Sequence, residues 1–230
     1  MDEVAETHKQ KSQLELRQKE IKLKMMASQI NPHFLFNALE SIRMKAHMKG
    51  ETEISGVVRM LGRMIRRNIE VGPRKIALKE ELQNVRYYLE IQKFRYGTDR
   101  LAFHLEIEPA VQEFEIPPLI IQPLVENAVV HGLENVAEGG FISLSTELID
   151  GMLKVTVSDN GEGISPERLD EILASLNDME EVEEYRIGLR NVHQRLIMIY
   201  GEGCGLSIKS KPAAGTCITF EIPIGGHPHA

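Results

Sequence analysis

From residue 31 to residue 96 the apolar positions recur with the period of a helix. Leu35, Leu39, Ile42 and Ala46 form one stripe, which the stretch MKGETE (48–53) interrupts. Ile54, Val57, Val58, Leu61, Ile65 and Ile69 resume it, and VGPRK (71–75) breaks it again. Leu82, Val85, Leu89 and Gln92 then mark a further helix. The pattern predicts an antiparallel helical hairpin with an extra turn and helix, burying its stripe in a bundle. Upstream, residues 7–30 are rich in Lys, Glu, Gln and Leu and contain neither Pro nor Gly. Leu16, Leu23 and Ile30 repeat every seven residues, as do Leu14 and Ile21, while the second apolar heptad position is mostly polar. This segment reads as a helical lead-in that pairs with a copy of itself, or as a solvated helix packed by its neighbours.

At Tyr96-Gly97 the period changes. LAFHLEIE (101–108), FISLSTEL (141–148), MLKVTVSD (152–159), GLSIKSK (205–211) and TCITFEIP (216–223) alternate as strands do. Helical stretches fall between them, near 117–133, 166–177 and 188–200. The expected fold class is α+β: a helical region followed by an α/β sandwich, with helices on one face of a largely antiparallel sheet. The expected divisions are a lead-in at 1–30, the helices at 31–97, the mixed domain at 98–225 and a frayed tail, GGHPHA, at its end (226–230).

Charge and composition narrow the function. The 230 residues carry a formal net charge of −7, with no basic face of the kind that marks nucleic-acid binding. Two cysteines, Cys204 and Cys217, read as two small buried thiols in a reduced compartment rather than as a disulfide. No run approaches the roughly 20 apolar residues of a membrane span. The opening MDEVAETHKQKSQ is too polar for a signal peptide. The chain therefore reads as soluble and cytoplasmic in style, which leaves room for it to be the inner portion of a longer membrane protein. Paired carboxylates or His/Cys metal spacing that would carry protease or nuclease chemistry are missing from the pattern.

Three motifs in the second half carry chemistry. In PLVENAVVHGLE (123–134), Asn127 and His131 stand four apart on a helix and share a face, with Glu126 one position off it. Leu124, Val125 and Ala128 would face the sheet. An Asn amide oxygen is a hard ligand suited to Mg²⁺, which usually arrives with phosphates; the same Asn also reads as a cap. In DNGEGI (159–164), Asp159 ends a strand, and Gly161 and Gly163 permit a tight turn and the approach of a flat ligand. Asp159 is placed to accept a hydrogen bond from an exocyclic amine such as that of adenine, or it simply begins a turn. A calcium loop fails here, because the glycines stand where oxygen ligands are needed. In RIGLRNVHQRL (186–196), Gly188 is expected to open a helix whose free N–H groups bind phosphate. The acidic, weakly patterned residues 165–187 before it suit a lid, and Gly215-Thr216 precede the last strand beneath the pocket. GEGCGL (201–206) lies after a helix and before a strand, the reverse of a dinucleotide fingerprint, and no P-loop string occurs.

In this order, the motifs resemble the GHKL (Bergerat) ATP-binding domain shared by histidine kinases, Hsp90-type chaperones, type II topoisomerases and MutL proteins. The first half selects among them: QINPHFLFNALESI (29–42) resembles the phospho-acceptor segment of the LytS/YesM-type sensor histidine kinases of bacterial two-component systems. The resemblance covers roughly residues 20–225. It implies an autophosphorylating kinase that uses ATP and Mg²⁺, is a homodimer through the helices, and passes its phosphate to an aspartate on the receiver domain of a response regulator. It implies no direct nucleic-acid contact, and membrane attachment only through upstream sensor segments. His33 would be the phosphorylated residue, with Asn37, Glu40 or Glu126 orienting it or acting as base. Asn127 would hold Mg²⁺, with Glu126 and His131 near the phosphates. Asp159 would read the adenine amine, Gly161, Gly163 and Ile164 would shape that wall, Gly188 and Leu189 would begin the helix behind the lid, and Gly215 and Thr216 would complete the floor.

Two positions depart from the wider kinase pattern. Phe34 stands where many histidine kinases place an acid directly after the acceptor, as is usual in the LytS/YesM type. Arg186 stands where the lid helix normally has a preceding glycine. Pro32 is expected to kink the helix one residue before His33. His33, Asn37 and Glu40 then form a polar line beside the apolar stripe, with the imidazole outward. A neutral imidazole nitrogen is a good nucleophile near neutral pH. Two rival functions share these motifs: an ATPase clamp without a phosphohistidine, and a degenerate scaffold that no longer binds ATP.

Overall fold

The computed structural model describes residues 32–70, 74–133, 136–176 and 184–224. The expected lead-in and tail lie outside them. The chain divides into two compact units, Met1–Glu70 and Val71–Ala230.

The first unit contains a helical hairpin, α1 (Pro32–Met48) and α2 (Thr52–Glu70). The turn falls in the MKGETE stretch, where Glu51 N–H bonds Ala46 O at 2.9 Å and Ser55 N–H bonds Glu51 O at 3.0 Å. Ala46 and Ser55 are buried, small side chains that let the helices approach at the turn. The rest of the stripe is only half covered: Leu35, Leu39, Val57, Val58, Leu61 and Ile65 are partly accessible, and Ile42, Ile54 and Ile69 are exposed. Two helices cannot bury an apolar face on both sides, so such a stripe asks for further helices. Pro32 is the first described residue of α1, a position where its missing N–H costs no ladder bond; the expected kink lies at the edge of the described residues.

The second unit begins with β1 (Ile76–Ala77) and α3 (Leu78–Tyr96), followed by β2 (Leu101–Ile107), a short 3₁₀ turn (Pro109–Val111) and β3 (Glu115–Ile116). Next come α4 (Gln122–Asn127), a π-helical turn (Ala128–Gly132), β4 (Gly140–Ile149) and β5 (Met152–Asp159). The chain closes with α5 (Pro166–Leu176), α6 (Glu184–Tyr200), β6 (Ser207–Ser210) and β7 (Thr216–Pro223). By its period α3 was grouped with the preceding helices, with a boundary near 97; the compact division falls at residue 70. The reason is visible in its burial. Leu78, Leu82, Val85 and Leu89 are buried in the second unit, and the N-terminus of α3 is tied there by Leu78 N–H to Phe114 O at 2.7 Å. A helical period does not say which neighbour the stripe faces.

The main sheet has the order β2-β4-β5-β7-β6, and β1 pairs with β3 separately. β2 and β4 run parallel, with Leu101 opposite Gly140; the other three pairs are antiparallel. A parallel pair needs a crossover, and here the crossover carries α4 and the π turn. Ile142 and Leu144 of β4, Leu153, Val155 and Val157 of β5, and Ile218, Phe220 and Ile222 of β7 are buried beneath the helices. The alternate positions are wet or polar, with Lys154 near Glu147 at 3.9 Å and Thr156 near Thr219 at 3.5 Å. The helix–sheet sandwich expected from the alternation is thus present. Both cysteines are free thiols, Cys204 buried and Cys217 half-buried.

Candidate functional site

The second unit holds a cavity of about 380 Å³ between the sheet and α4, α5 and α6. Asn127, His131, Asp159, Gly163, Ile164, Leu189 and Thr216, all singled out from the sequence, line it. Three further walls escaped the sequence reading: Ile172 of α5, and Ile208 and Ile218 from the last two strands. Their signal was present in the alternation of β7, where Thr216 and Ile218 share one face. Arg168 also reaches the rim and pairs with Glu171.

The cavity is apolar with few polar groups, the lining that suits a flat heterocycle. Asp159, the last residue of β5, supplies the fixed charge. Its Oδ1 accepts N–H bonds from Gly161 at 2.9 Å and Thr216 at 3.3 Å. Its Oδ2 has no protein donor among the described residues and is left for a ligand. Burial pushes the Asp159 carboxyl above its ordinary value, against the pull of those two N–H bonds.

Glycines bring three chain segments together around this carboxylate. A Cβ on Gly161 would overlap the carbonyl oxygen of Gly132, at the end of the π turn. That same oxygen accepts the Glu162 N–H at 3.1 Å. Gly215 has φ +80°, and a Cβ there would overlap the Asp159 carbonyl oxygen. The motif at 159–164, the end of 123–134 and the turn before β7 therefore lock onto one another.

The helix carrying Asn127 is short and then widens. Leu124, Val125 and Ala128 are buried, as the sequence predicts. From Ala128 the coil opens into a π turn, a distortion frequent at functional sites. Asn127 Nδ2 donates to Pro123 O at 2.8 Å. Its Oδ1 has no protein partner among the described residues. One amide oxygen suits Mg²⁺, which keeps several waters and takes its remaining ligands from phosphates. No group of three or more His, Cys, Asp or Glu able to hold a metal occurs among the described residues. The donor set therefore fits a metal that arrives with a nucleotide.

Two sequence expectations are corrected. Gly188 does not open its helix: α6 begins at Glu184, so the Gly188 N–H lies beyond the orphan donors of the first turn. The helix-forming residues ahead of it carry the helix upstream by a turn. Gly188 instead passes close to the metal-ligand candidate, since a Cβ on it would sit 3.8 Å from Asn127 Nδ2. The Arg186 side chain lies outside the described residues. Glu126 does not line the cavity: it accepts Gln122 Nε2 at 2.8 Å and adds its charge to the environment of the buried Tyr88 on α3.

Glu81, buried on α3, is the residue the sequence did not reveal. Its Oε2 accepts Leu119 N–H at 3.0 Å, and its Oε1 accepts Ile120 N–H at 3.0 Å, Ile121 N–H at 3.1 Å and Gln122 N–H at 3.4 Å. The N-cap residue of α4, Ile121, has no capping side chain of its own. A carboxylate some forty positions away takes that place. Arg195 of α6 fixes the same segment from its carbonyl side, donating to Pro118 O at 3.0 Å and Leu119 O at 3.4 Å.

In the first unit, His33, Asn37 and Glu40 form the expected exposed line on α1. Asn37 Nδ2 lies 3.3 Å from His33 Nδ1 and 3.4 Å from Nε2. Glu40 is engaged elsewhere: Arg43 Nε donates to it at 2.8 Å, and that bond holds its carboxyl below the ordinary value. A carboxylate so held is a weak base.

Comparison with known proteins agrees with this geometry. A family model described as "Histidine kinase" matches residues 21–101. A second, "Histidine kinase-, DNA gyrase B-, and HSP90-like ATPase", matches residues 117–226. The chain is 37% identical over 205 residues to "Sensor histidine kinase YesM" of Bacillus subtilis, covering 89% of this chain and 34% of that protein. It is 37% identical over 202 residues to "Sensor histidine kinase YpdA" of Escherichia coli, covering 87% and 34%. The chain thus spans about a third of the length of these curated relatives. Among solved structures, the nucleotide-free catalytic domain of histidine kinase ThkA aligns with TM-score 0.50 at 19% identity, covering 65% of this chain and 96% of that one. This last likeness concerns the fold alone.

Proposed function

Because the chain belongs to the histidine kinases of the YesM type and carries an ATP-binding domain, we propose that it phosphorylates its own His33 from ATP and passes the phosphoryl group to an aspartate of a response-regulator receiver domain. The observation that carries this reading is the spare Oδ2 of Asp159 in an apolar cavity that also holds Asn127.

Each residue has a role in this proposal. Asp159 Oδ2 accepts the exocyclic amine of adenine, while Gly161 and Thr216 keep the carboxylate fixed through Oδ1. Ile164, Ile172, Leu189, Ile208 and Ile218 exclude water from the ring. Asn127 Oδ1 holds Mg²⁺, and His131 lies on the phosphate side. Mg²⁺, when bound, neutralises phosphate charge and orients the transferring group.

At the acceptor, Asn37 orients the His33 ring. The lone pair of the unprotonated ring nitrogen forms the N–P bond. The bond from the γ-phosphorus to the ADP oxygen breaks, with its electron pair leaving on ADP. The proton on the other ring nitrogen passes to solvent. The phosphohistidine then gives its phosphoryl group to a carboxylate on the partner. The half-covered stripe of α1 and α2 is completed by a second copy, making the protein a homodimer. The relatives are about three times longer, and the activity belongs to the cytoplasmic part of a membrane sensor whose upstream segments supply the signal.

The test is incubation with γ-labelled ATP and Mg²⁺, beside His33→Gln and Asn127→Ala. The expected label survives alkali, is lost in acid and is missing from both variants. Label that persists in His33→Gln would show that the acceptor is another residue.

A further inference from the structure

The first unit has a cavity of its own. A groove of about 410 Å³ lies between α1 and α2, and Arg43, Arg59, Arg63 and Arg66 all line it. One carboxylate, Glu40, stands against these four guanidinium groups, and Arg43 already grips it with two nitrogens. Arg59, Arg63 and Arg66 follow one another at i, i+4 and i+7 on α2, so they share a face. Like charges at this spacing repel and weaken a helix. A row of them around a hollow makes sense where an anion enters.

The groove is also shaped. Gly62 lies in its wall, and a Cβ there would meet nothing within 4 Å, so the space is open above it. Arg66 is seated on the Phe36 ring, its guanidinium carbon 4.8 Å from the centroid, which holds a long side chain in place. Asn37 joins the groove to His33, because its amide both lines the hollow and lies within 3.4 Å of the imidazole nitrogens. The arginines thus stand beside the ring on the unit that carries the acceptor, apart from the ATP cavity, which lies wholly in the other unit.

The geometry points to the Arg59–Arg63–Arg66 groove as a phosphoryl-anion site that receives the phosphoryl group at His33. It rests on the reading of His33 as acceptor and adds the groups that hold the charge there. Guanidinium forks match the equatorial oxygens of a phosphoryl group, and their charge steadies it while it is transferred in either direction. Nucleotide binding is left to the second unit.

The full chain tests this in four forms: wild type, Arg66→Ala, the Arg59→Ala/Arg63→Ala double variant, and Arg66→Lys. The expected result is a fall of about ten- to a hundredfold in the rate of acid-labile labelling for the alanine variants. The KM for ATP and the calorimetric ATP affinity stay at wild-type values, and Arg66→Lys recovers part of the rate. Unchanged rates in the alanine variants, with His33→Gln unlabelled, would overturn the site and leave the acceptor assignment standing. A second measurement does not depend on the acceptor: inorganic phosphate is titrated while the His33 and Asn37 side-chain resonances are followed. Saturable shifts in the wild type that vanish in the alanine variants support the site, and their absence in the wild type overturns it. Arg59 is exposed, so the single variant Arg59→Ala, with an unchanged circular dichroism spectrum, separates loss of the site from loss of the fold.

Discussion

The carboxylate of Glu81 accepts the backbone N–H of Ile121 at 3.1 Å, across forty positions of sequence, and so caps the helix that carries Asn127. Three neighbouring N–H groups share the same carboxylate. Removing it leaves four buried donors without partners, so Glu81→Ala should destabilise the second unit by about 3–5 kcal/mol. Glu81→Gln keeps Oε1 for three of the donors and sets an amide NH₂ against Leu119 N–H, at a loss of about 1–3 kcal/mol. The chain has no tryptophan, so urea unfolding followed by circular dichroism measures both. Equal midpoints for wild type and Glu81→Ala would show that the cap contributes nothing.

Asp159→Asn tests the adenine reading. Oδ1 of the new amide can still accept from Gly161 and Thr216, so the local turn keeps its bonds. The NH₂ then stands where Oδ2 was and meets the adenine amine donor to donor. A buried polar mismatch of this kind should weaken ATP binding about a hundredfold or more, with little change in folding stability. Calorimetry with Mg²⁺ and ATP decides, and wild-type affinity in the variant would remove Asp159 from the site.

The same carboxyl gives a pH dependence. Its folded-state pKa is raised by burial, so between the ordinary aspartate value and the raised one the folded state holds more proton than the unfolded chain. The Asp159 contribution to stability is therefore full below the ordinary value and declines as pH rises through the raised one. Nucleotide binding runs the other way, because the amine needs the ionised acceptor. ATP affinity should fall as pH drops through the raised pKa, at a pH above the range of an ordinary aspartate. A titration of affinity that stays flat from neutral pH down to that ordinary range would contradict it.

Gly215→Ala places a Cβ on a residue at φ +80° and against the Asp159 carbonyl oxygen. Strain and overlap together should cost about 2–4 kcal/mol. Because the neighbour is the backbone of the adenine-reading residue, ATP affinity should fall along with stability. Gly151→Ala is the control: its φ is +77°, yet nothing lies within 4 Å, so it should carry the backbone strain alone and leave affinity unchanged.

The parts of this molecule legible in its sequence are those governed by short-range pattern. Strand alternation located β5 and β7, and the string DNGEGI placed Asp159 at a strand end, because turns and strands are set by neighbouring residues. Long-range partners left no local trace. Glu81 sits in KEEL, a stretch that reads as the solvated first turn of α3, and its burial depends on where residues 119–122 return. The π turn was hidden for a related reason: AVVHG has an ordinary helical pattern, and the widening follows from fitting Gly132 beneath Gly161. The start of α6 was misplaced at Gly188 because a glycine in a helical pattern resembles an end, while packing against β7 and α4 carries the helix through it. The assignment of α3 to the second unit likewise depends on what its stripe faces, which periodicity does not encode.

Asn37 and His33 supply the last prediction. The amide nitrogen lies nearly equidistant from both imidazole nitrogens, at 3.3 and 3.4 Å. A neutral imidazole has one acceptor nitrogen, so the amide donates to one and must turn aside, or flip to present its oxygen to the N–H, before that nitrogen can attack. With its oxygen presented, Asn37 fixes the tautomer and leaves the opposite lone pair free. Asn37→Ala should therefore slow labelling of His33 by about tenfold while ATP affinity is unchanged. Asn37→Asp keeps an oxygen for the ring N–H but adds negative charge where the phosphoryl group arrives, and a carboxylate there raises the imidazole pKa. Its rate should fall as well, with the rate-against-pH profile displaced to higher pH relative to Asn37→Ala. Coincident profiles for the two variants would mean that Asn37 only fills space on α1 and does not set the state of the ring.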